Sequence, residues 1–345
     1  MSRNKKKSAE KAAHMMDDDR DTVSLPHERG HFAQAPLVCA LSEALDKVRA
    51  ARVSSDAVEM VHDARKGMKE YRALLRLIPG QDARQARHEV AAAARGLAHA
   101  RDRATAQEAL QMLQQAGLAR EEDVCAAQKA IGADHGGARE DNALRELLRS
   151  FLEDAETRLA MGLARQAAEA NLVSGLRRAY RAARKADFTQ SGEAHRAAPH
   201  AMHEARKRVV THRYQMSFVA AWFGGKGNRR AIRAQRLRDV LGAYQDIETL
   251  RPLLDGVRLD LPEGAFARLE RAMQRLQKRL EKQARKQHAR LFRRSSRGFA
   301  QHIQPLGEPT PPSRTRTAAD WHVMAVEEMD TLPTDADTQS DKEEN

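Results

Sequence analysis

The segment VHDARKGMKEYRALLRLI, Val61 to Ile78, carries two side-chain patterns at once. Wound as an α-helix at about 100° per residue, it places His62, Arg65, Lys69, Arg72 and Arg76 within a sector of roughly 80°. Val61, Ala64, Met68, Tyr71, Leu75 and Ile78 gather on an adjoining sector. The helix therefore packs into a core along one edge and presents a continuous cationic stripe along the other. A second copy begins at His203, HEARKRVVTHRYQMSFVAAWF, where His203, Arg206 and Arg213 reproduce the stripe, with Lys207 beside it. Val210 stands where the first copy has Lys69, so the first helix is expected to bind anions more strongly.

The rest of the chain reads as all-α. Alanine, leucine, arginine, glutamate and glutamine dominate, and aromatics make up only 4%. Leu37, Leu41, Ala44, Leu45 and Val48 recur at helical spacing, Ser54 to Asp56 offer N-caps for the first basic helix, and Pro79-Gly80 end it. Helical runs are expected at about 82 to 99, from Asp102 through Leu113, at 121 to 131, at 138 to 186 as one long helix or two in series, from 228, and at 263 to 294. Arg177, Arg181 and Arg184 share one face, and Arg229, Arg233 and Arg236 share another. Residues 1–33 show no helical stripe and are expected to form a mobile arm. Residues 299–345, with prolines 305, 309, 311 and 312 and nine carboxylates from Asp320 onward against Lys342 alone, are expected to be a disordered acidic tail.

Cys39 and Cys125 lie far apart with no ligand spacing, so neither a disulfide framework nor a zinc site is indicated, and a reducing cytoplasm fits. No stretch approaches the roughly 18 apolar residues of a membrane span, and the N-terminus lacks the apolar core of an export signal. Formal charge +12 and a pI near 9.9 point to a polyanionic partner.

The chain repeats itself. His62-x-x-Arg65-Lys66 matches His203-x-x-Arg206-Lys207 at an offset of 141, and LAHARD (Leu97 to Asp102) matches LGAYQD (Leu241 to Asp246) at 144. The same order at nearly the same offset implies a duplication: two helical bundles, 34–137 and 138–298, related by approximate two-fold symmetry around a basic central cavity. Asp102 and Asp246 each follow a helical segment and are expected to cap the next helix or orient a basic side chain.

A helix reading HxxR(x)3K(x)2R, followed by an LGxxRD-like turn and present twice in an all-helical chain, resembles the CHAD family, the conserved histidine α-helical domain. The resemblance spans residues 34–298 and rests on His62, Arg65, Lys69, Arg72 and Asp102, then on His203, Arg206, Arg213, Tyr214, Leu241, Gly242 and Asp246. Departures are Val210 for a basic residue, Ala98 for the glycine of the turn and Gln245 for its arginine. The resemblance implies a basic surface that binds inorganic polyphosphate in the cytoplasm, with recruitment to polyphosphate granules. Some relatives carry a triphosphatase domain with an ExExK strand motif, which is absent from this sequence.

On this reading His62, Arg65, Lys69, Arg72, Arg76, His203, Arg206, Lys207 and Arg213 contact polyphosphate, with Arg177, Arg181, Arg184, Arg229, Arg233 and Arg236 as weaker candidates. Arginine forks and lysine point charges suit a flexible polyanion. No catalytic residue, metal or cofactor is expected: no second carboxylate accompanies Asp102 or Asp246, and His195, His200 and His203 lack a recognised zinc spacing. His212, on the apolar sector, is expected to be a core histidine. A nucleic-acid-binding helical protein is the alternative, weakened by scarce aromatics and by the lack of a reader motif. A polyphosphate or triphosphate hydrolase ranks third.

Overall fold

The computed structural model describes residues 34–97, 102–132, 138–186, 199–304 and 306–312, and all regular structure among them is helical. The expected N-terminal arm and the segment from 313 onward lie outside the described residues. The helices are α1 (Pro36–Arg52), α2 (Ala57–Leu75), α3 (Gln81–Gly96), α4 (Asp102–Gln115), α5 (Glu121–Ile131), α6 (Ala138–Arg158), α7 (Ala164–Ala168), α8 (Leu172–Arg184), α9 (Pro199–Trp222), α10 (Asn228–Gly256), α11 (Ala265–Leu291) and α12 (Ser296–Ile303).

Local chemistry sets the ends of α2. The Asp56 carboxylate accepts from Val58 N (2.8 Å) and Glu59 N (3.3 Å), satisfying two of the amides that open a helix without partners. Pro79 follows the helix, and Gly80 takes φ 101, a backbone conformation open to glycine, as α3 begins. The apolar sector of α2 is buried as its periodicity requires: Val61, Ala64, Met68, Tyr71 and Leu75 are at most 2% exposed. Burying each large side chain contributes about 1.5–3 kcal/mol. The opposing face of α1 comes close because position 67 is glycine, where a Cβ would meet Val48 Cγ2 at 2.7 Å and Ala44 O at 3.0 Å.

The helices do not sort into the two sequence halves. α1, α2 and α3 pack with α6, which belongs to the second expected half. Conversely, α4 and α5, from the first half, pack on α10 and α11, and α9 pairs with α10. An ion pair fixes part of this exchange: Arg268 of α11 donates through Nε and Nη2 to both carboxylate oxygens of Asp123 on α5 (2.8 and 2.7 Å), and Asp123 is 2% exposed. The guanidinium holds the Asp123 carboxyl below the usual carboxylate range. Helices α2 and α9, which carry the two basic stripes, meet directly, and Gln215 Nε2 donates to Ala73 O across the contact (2.9 Å).

Three further expectations need correction. The run 138–186 is interrupted twice: a π-turn at Leu159–Leu163 contains Gly162 at φ 143, and the chain leaves helix at Glu169 before Asn171 caps α8 by accepting from Ser174 N (2.9 Å). The segment from 299 begins as ordered structure. Phe299 and Ile303 are buried on α12, which Ser295 caps, so two apolar residues one turn apart and a serine suffice for a last short helix. Asp246 lies inside α10 and caps nothing; the second LGxxRD-like segment continues a helix where the first precedes α4.

Candidate anion-binding site

The C-terminus of α2 is where cations from other helices collect. The last carbonyls of a helix lack intrahelical donors and carry the negative end of its dipole, so they attract guanidinium groups. Arg87 Nη1 of α3 donates to Leu75 O (3.1 Å), and Arg178 Nη2 of α8 donates to Leu77 O (3.3 Å). Arg208 of α9 is held against α8 by a bond from Nη1 to Ala182 O (3.2 Å). Arg76 is the C-cap residue of α2 and Arg72 lies one turn earlier.

These groups crowd one another. Burial first, then Arg76, Arg84, Arg72 and Arg178, push the Arg87 pKa down to about 10. Burial, Arg72 and Arg208 lower that of Arg76, and burial and Arg95 lower that of Arg72. The carboxylate acting on Arg72 and Arg76 is Glu204, already bound to Lys207 Nζ at 2.7 Å. The Arg72 Nε is buried without a hydrogen-bond partner among the described residues. Arginines from α2, α3, α8 and α9 thus stand together with little counter-charge, an arrangement that favours a nearby anion electrostatically.

The expected residues divide. Arg72 and Arg76 stand at the centre of the cluster. Arg65 extends along the stripe and donates to Leu97 O (2.9 Å), Lys69 is exposed, and His62 is half-exposed beside Asp63. Arg206 lies against the matched segment: a Cβ at Gly242 would be 3.7 Å from Arg206 Nη2, and Arg206 Nε is buried without a hydrogen-bond partner among the described residues. Burial dominates at Arg206 and lowers its pKa, while the Asp246 charge opposes that shift. The Asp102 side chain lies outside the described residues.

Arg213 is elsewhere, its Cζ 4.5 Å from the centroid of the Tyr214 ring. Among the weaker candidates, Arg184 and Arg233 gather around Tyr180 and Arg230, away from Arg72. Arg177, Arg181 and Arg229 are exposed, and Arg236 is half-buried with Nη2 unpartnered among the described residues. A cavity of about 210 Å³ opens between α3 and α6 over Tyr71, lined by Glu89, Asp154 and Arg158, and none of the expected site residues lines it.

The sequence reading missed Arg84, Arg87, Arg95, Arg178, Arg208 and Glu204. For α3 the signal was present: Arg84, Arg87 and Arg95 fall within one sector at about 100° per residue. Arg178 lies next to the expected Arg177, and only the packing of α8 on α2 selects between them. The close approach of α8 to the turn that follows α2 depends on Gly175, where a Cβ would meet Leu77 O at 2.7 Å and Leu77 Cα at 2.9 Å, both backbone atoms that cannot swing aside. Gly175→Ala is expected to cost about 1–3 kcal/mol in urea unfolding, as overpacking does, and to weaken anion binding by carrying Arg178 off Leu77.

His203 has a defined role. Its Nδ1 lies 3.0 Å from Gln245 Oε1, within hydrogen-bond distance. Gln245, a departure from the family turn, thus holds the histidine. Burial and Lys207 depress the His203 pKa below the ordinary histidine value, outweighing the Gln245 bond. His212 is in the core, as expected, but neither ring nitrogen has a hydrogen-bond partner among the described residues.

No helix among the described residues is long and apolar enough to cross a membrane, and no group of three or more His, Cys, Asp or Glu that could hold a metal occurs among them. No curated protein and no solved structure matches the chain. The model of the CHAD domain matches residues 39–255, which span α2, α3, α8 and α9 with every arginine of the central cluster. The chain belongs to the CHAD domain family.

Proposed function

We propose that this chain binds inorganic polyphosphate at the Arg72–Arg76–Arg87–Arg178–Arg208 cluster, with Arg65 and Lys69 extending the contact along α2. The observation that carries the reading is the convergence of arginines from four helices on one helix end, with Glu204 the carboxylate that acts on Arg72 and Arg76. A linear polyanion with a charge on every phosphate satisfies such a surface without base-edge or groove recognition. Binding without turnover, and recruitment to polyphosphate granules in the cytoplasm, complete the proposal.

Titration with long-chain polyphosphate across a salt series tests it. Counterion release at about five neutralised phosphates gives an affinity that falls by roughly 3.5 decades for a tenfold rise in salt, by analogy with single-stranded polyanions. A flat salt response would remove the electrostatic basis of the site. Phosphate release in the presence of magnesium would return the hydrolase reading.

Binding should also respond to pH. A bound phosphate favours the protonated form of His203, whose pKa in the empty site is depressed, so protons are taken up on binding and affinity rises as pH falls from 7.5 toward 5.5. His203→Gln is expected to flatten that rise when Kd is measured at both ends of the interval.

A further inference from the structure

The chain leaves its last helix beside a second group of cations. After α12 ends at Ile303, residues 306–312 run back over the end of α9, where Thr310 N–H donates to Trp222 O (2.9 Å) and Leu306 packs on the core. Lys226 precedes α10, Arg230 and Arg233 open it, Arg294 follows α11, and His302 sits on α12. Arg230 is rigidly placed: its Cζ lies 5.4 Å from the Tyr180 ring centroid and 5.0 Å from that of Phe299, and Nη1 donates to Leu291 O (3.1 Å). Tyr180 stacks on Phe299 at 4.1 Å and donates to Arg294 O (3.0 Å), which ties α8, α12 and the end of α11 together.

Burial, then Arg294 and Arg233, lower the Arg230 pKa against the opposing Tyr180 hydroxyl, and burial, then Arg294, Arg230 and Lys226, lower that of His302. Arg233, Arg294 and His302 are exposed. This surface is separate from the cluster on α2, and the polyphosphate reading does not require it.

The sequence supplies a complement. From Asp320 to Asn345 the chain holds nine Asp and Glu side chains against one lysine, Lys342, and no arginine. Asp320 is eight residues beyond Pro312, a span of at most about 28 Å, and covalent attachment through a short connection sets an effective concentration in roughly the millimolar range. We infer that the acidic segment 320–345 docks on the Arg230, Arg233, Arg294 and His302 surface of its own chain. The point of attachment, added to opposite charge, favours this surface over the central one.

The full-length chain tests this without polyphosphate. Zero-length coupling of carboxylates to lysine amines at low salt, mapped by mass spectrometry, is expected to join the acidic segment to Lys226 at least about fivefold more than to Lys69 or Lys207 of the central site. The preference should be lost in an Arg233→Gln, Arg294→Gln, His302→Gln variant, all at exposed positions, and at about 0.5 M salt, where the Debye length is only a few ångströms. Coupling mainly to Lys69 and Lys207, coupling spread evenly over surface lysines, or coupling to Lys226 that survives the triple variant would each overturn the inference.

Discussion

Replacing Arg72, Arg76 and Arg87 together by glutamine is expected to weaken polyphosphate binding by about two to three decades while leaving the protein as stable as before, or more so. Each charge-assisted bond contributes on the order of 1.5–3 kcal/mol, less where water screens it, and about 1.4 kcal/mol corresponds to a decade in Kd. Three such groups, discounted for the exposure of Arg76, give that range. The stability half of the expectation follows from the depressed pKa values. Burial and mutual repulsion hold Arg87 at about 10 and lower Arg72 and Arg76, so in the empty site these charges oppose the fold. A binding site kept at the expense of stability responds in this way, whereas arginines placed for structure would lower the unfolding midpoint when removed. Arg213→Gln, at a residue lying over Tyr214, is expected to change Kd far less. Titration and urea unfolding of the same variants separate the two cases.

The second large effect concerns His212. Its imidazole is 1% exposed and sits among Tyr180, Phe292 and Phe299, at centroid distances of 5.6, 5.2 and 5.8 Å. Desolvation, with a further push from Arg230, lowers its pKa to about 3. The unfolded chain therefore takes up this proton first as pH falls. The stability contributed by keeping the ring neutral is complete above about pH 6.5 and is lost at about 1.4 kcal/mol per pH unit toward pH 3. His212→Leu removes the titration and two buried nitrogens without partners, so its stability should match or exceed that of the unaltered chain at pH 7.5. At pH 5 it should exceed it by about 2 kcal/mol more. A variant whose urea midpoint tracks the unaltered chain in parallel from pH 7.5 to 5 would show that His212 does not titrate on unfolding.

Fold class and the basic stripe of the candidate site were legible for one physical reason: helical periodicity fixes which side chains share a face. That arithmetic placed the core sector of α2 correctly, from Val61 to Leu75, and aligned Arg72 and Arg76. Periodicity cannot say which helices meet. Nothing in residues 102–131 signals that they pack on α10 and α11, because Asp123 and Arg268 lie 145 positions apart. The partners that complete the cluster are of the same kind: Arg178 and Arg208 become relevant only once α8 and α9 lie against the end of α2. The two stripes were expected to be unequal, because Val210 stands where the first copy has Lys69. In the second copy the Asp246 charge opposes the lowered pKa of Arg206 and Glu204 engages Lys207, so that copy is more nearly neutral.

Competition among polyanions tests the central claim most directly. Long-chain polyphosphate, duplex DNA and single-stranded RNA, matched in charge and salt, are titrated against the full-length chain and against the Arg72, Arg76 and Arg87 glutamine variant. The account predicts that polyphosphate binds the unaltered chain tightest and that this advantage disappears in the variant. Equal or tighter binding of either nucleic acid, or a polyphosphate affinity indifferent to the three arginines, would contradict it.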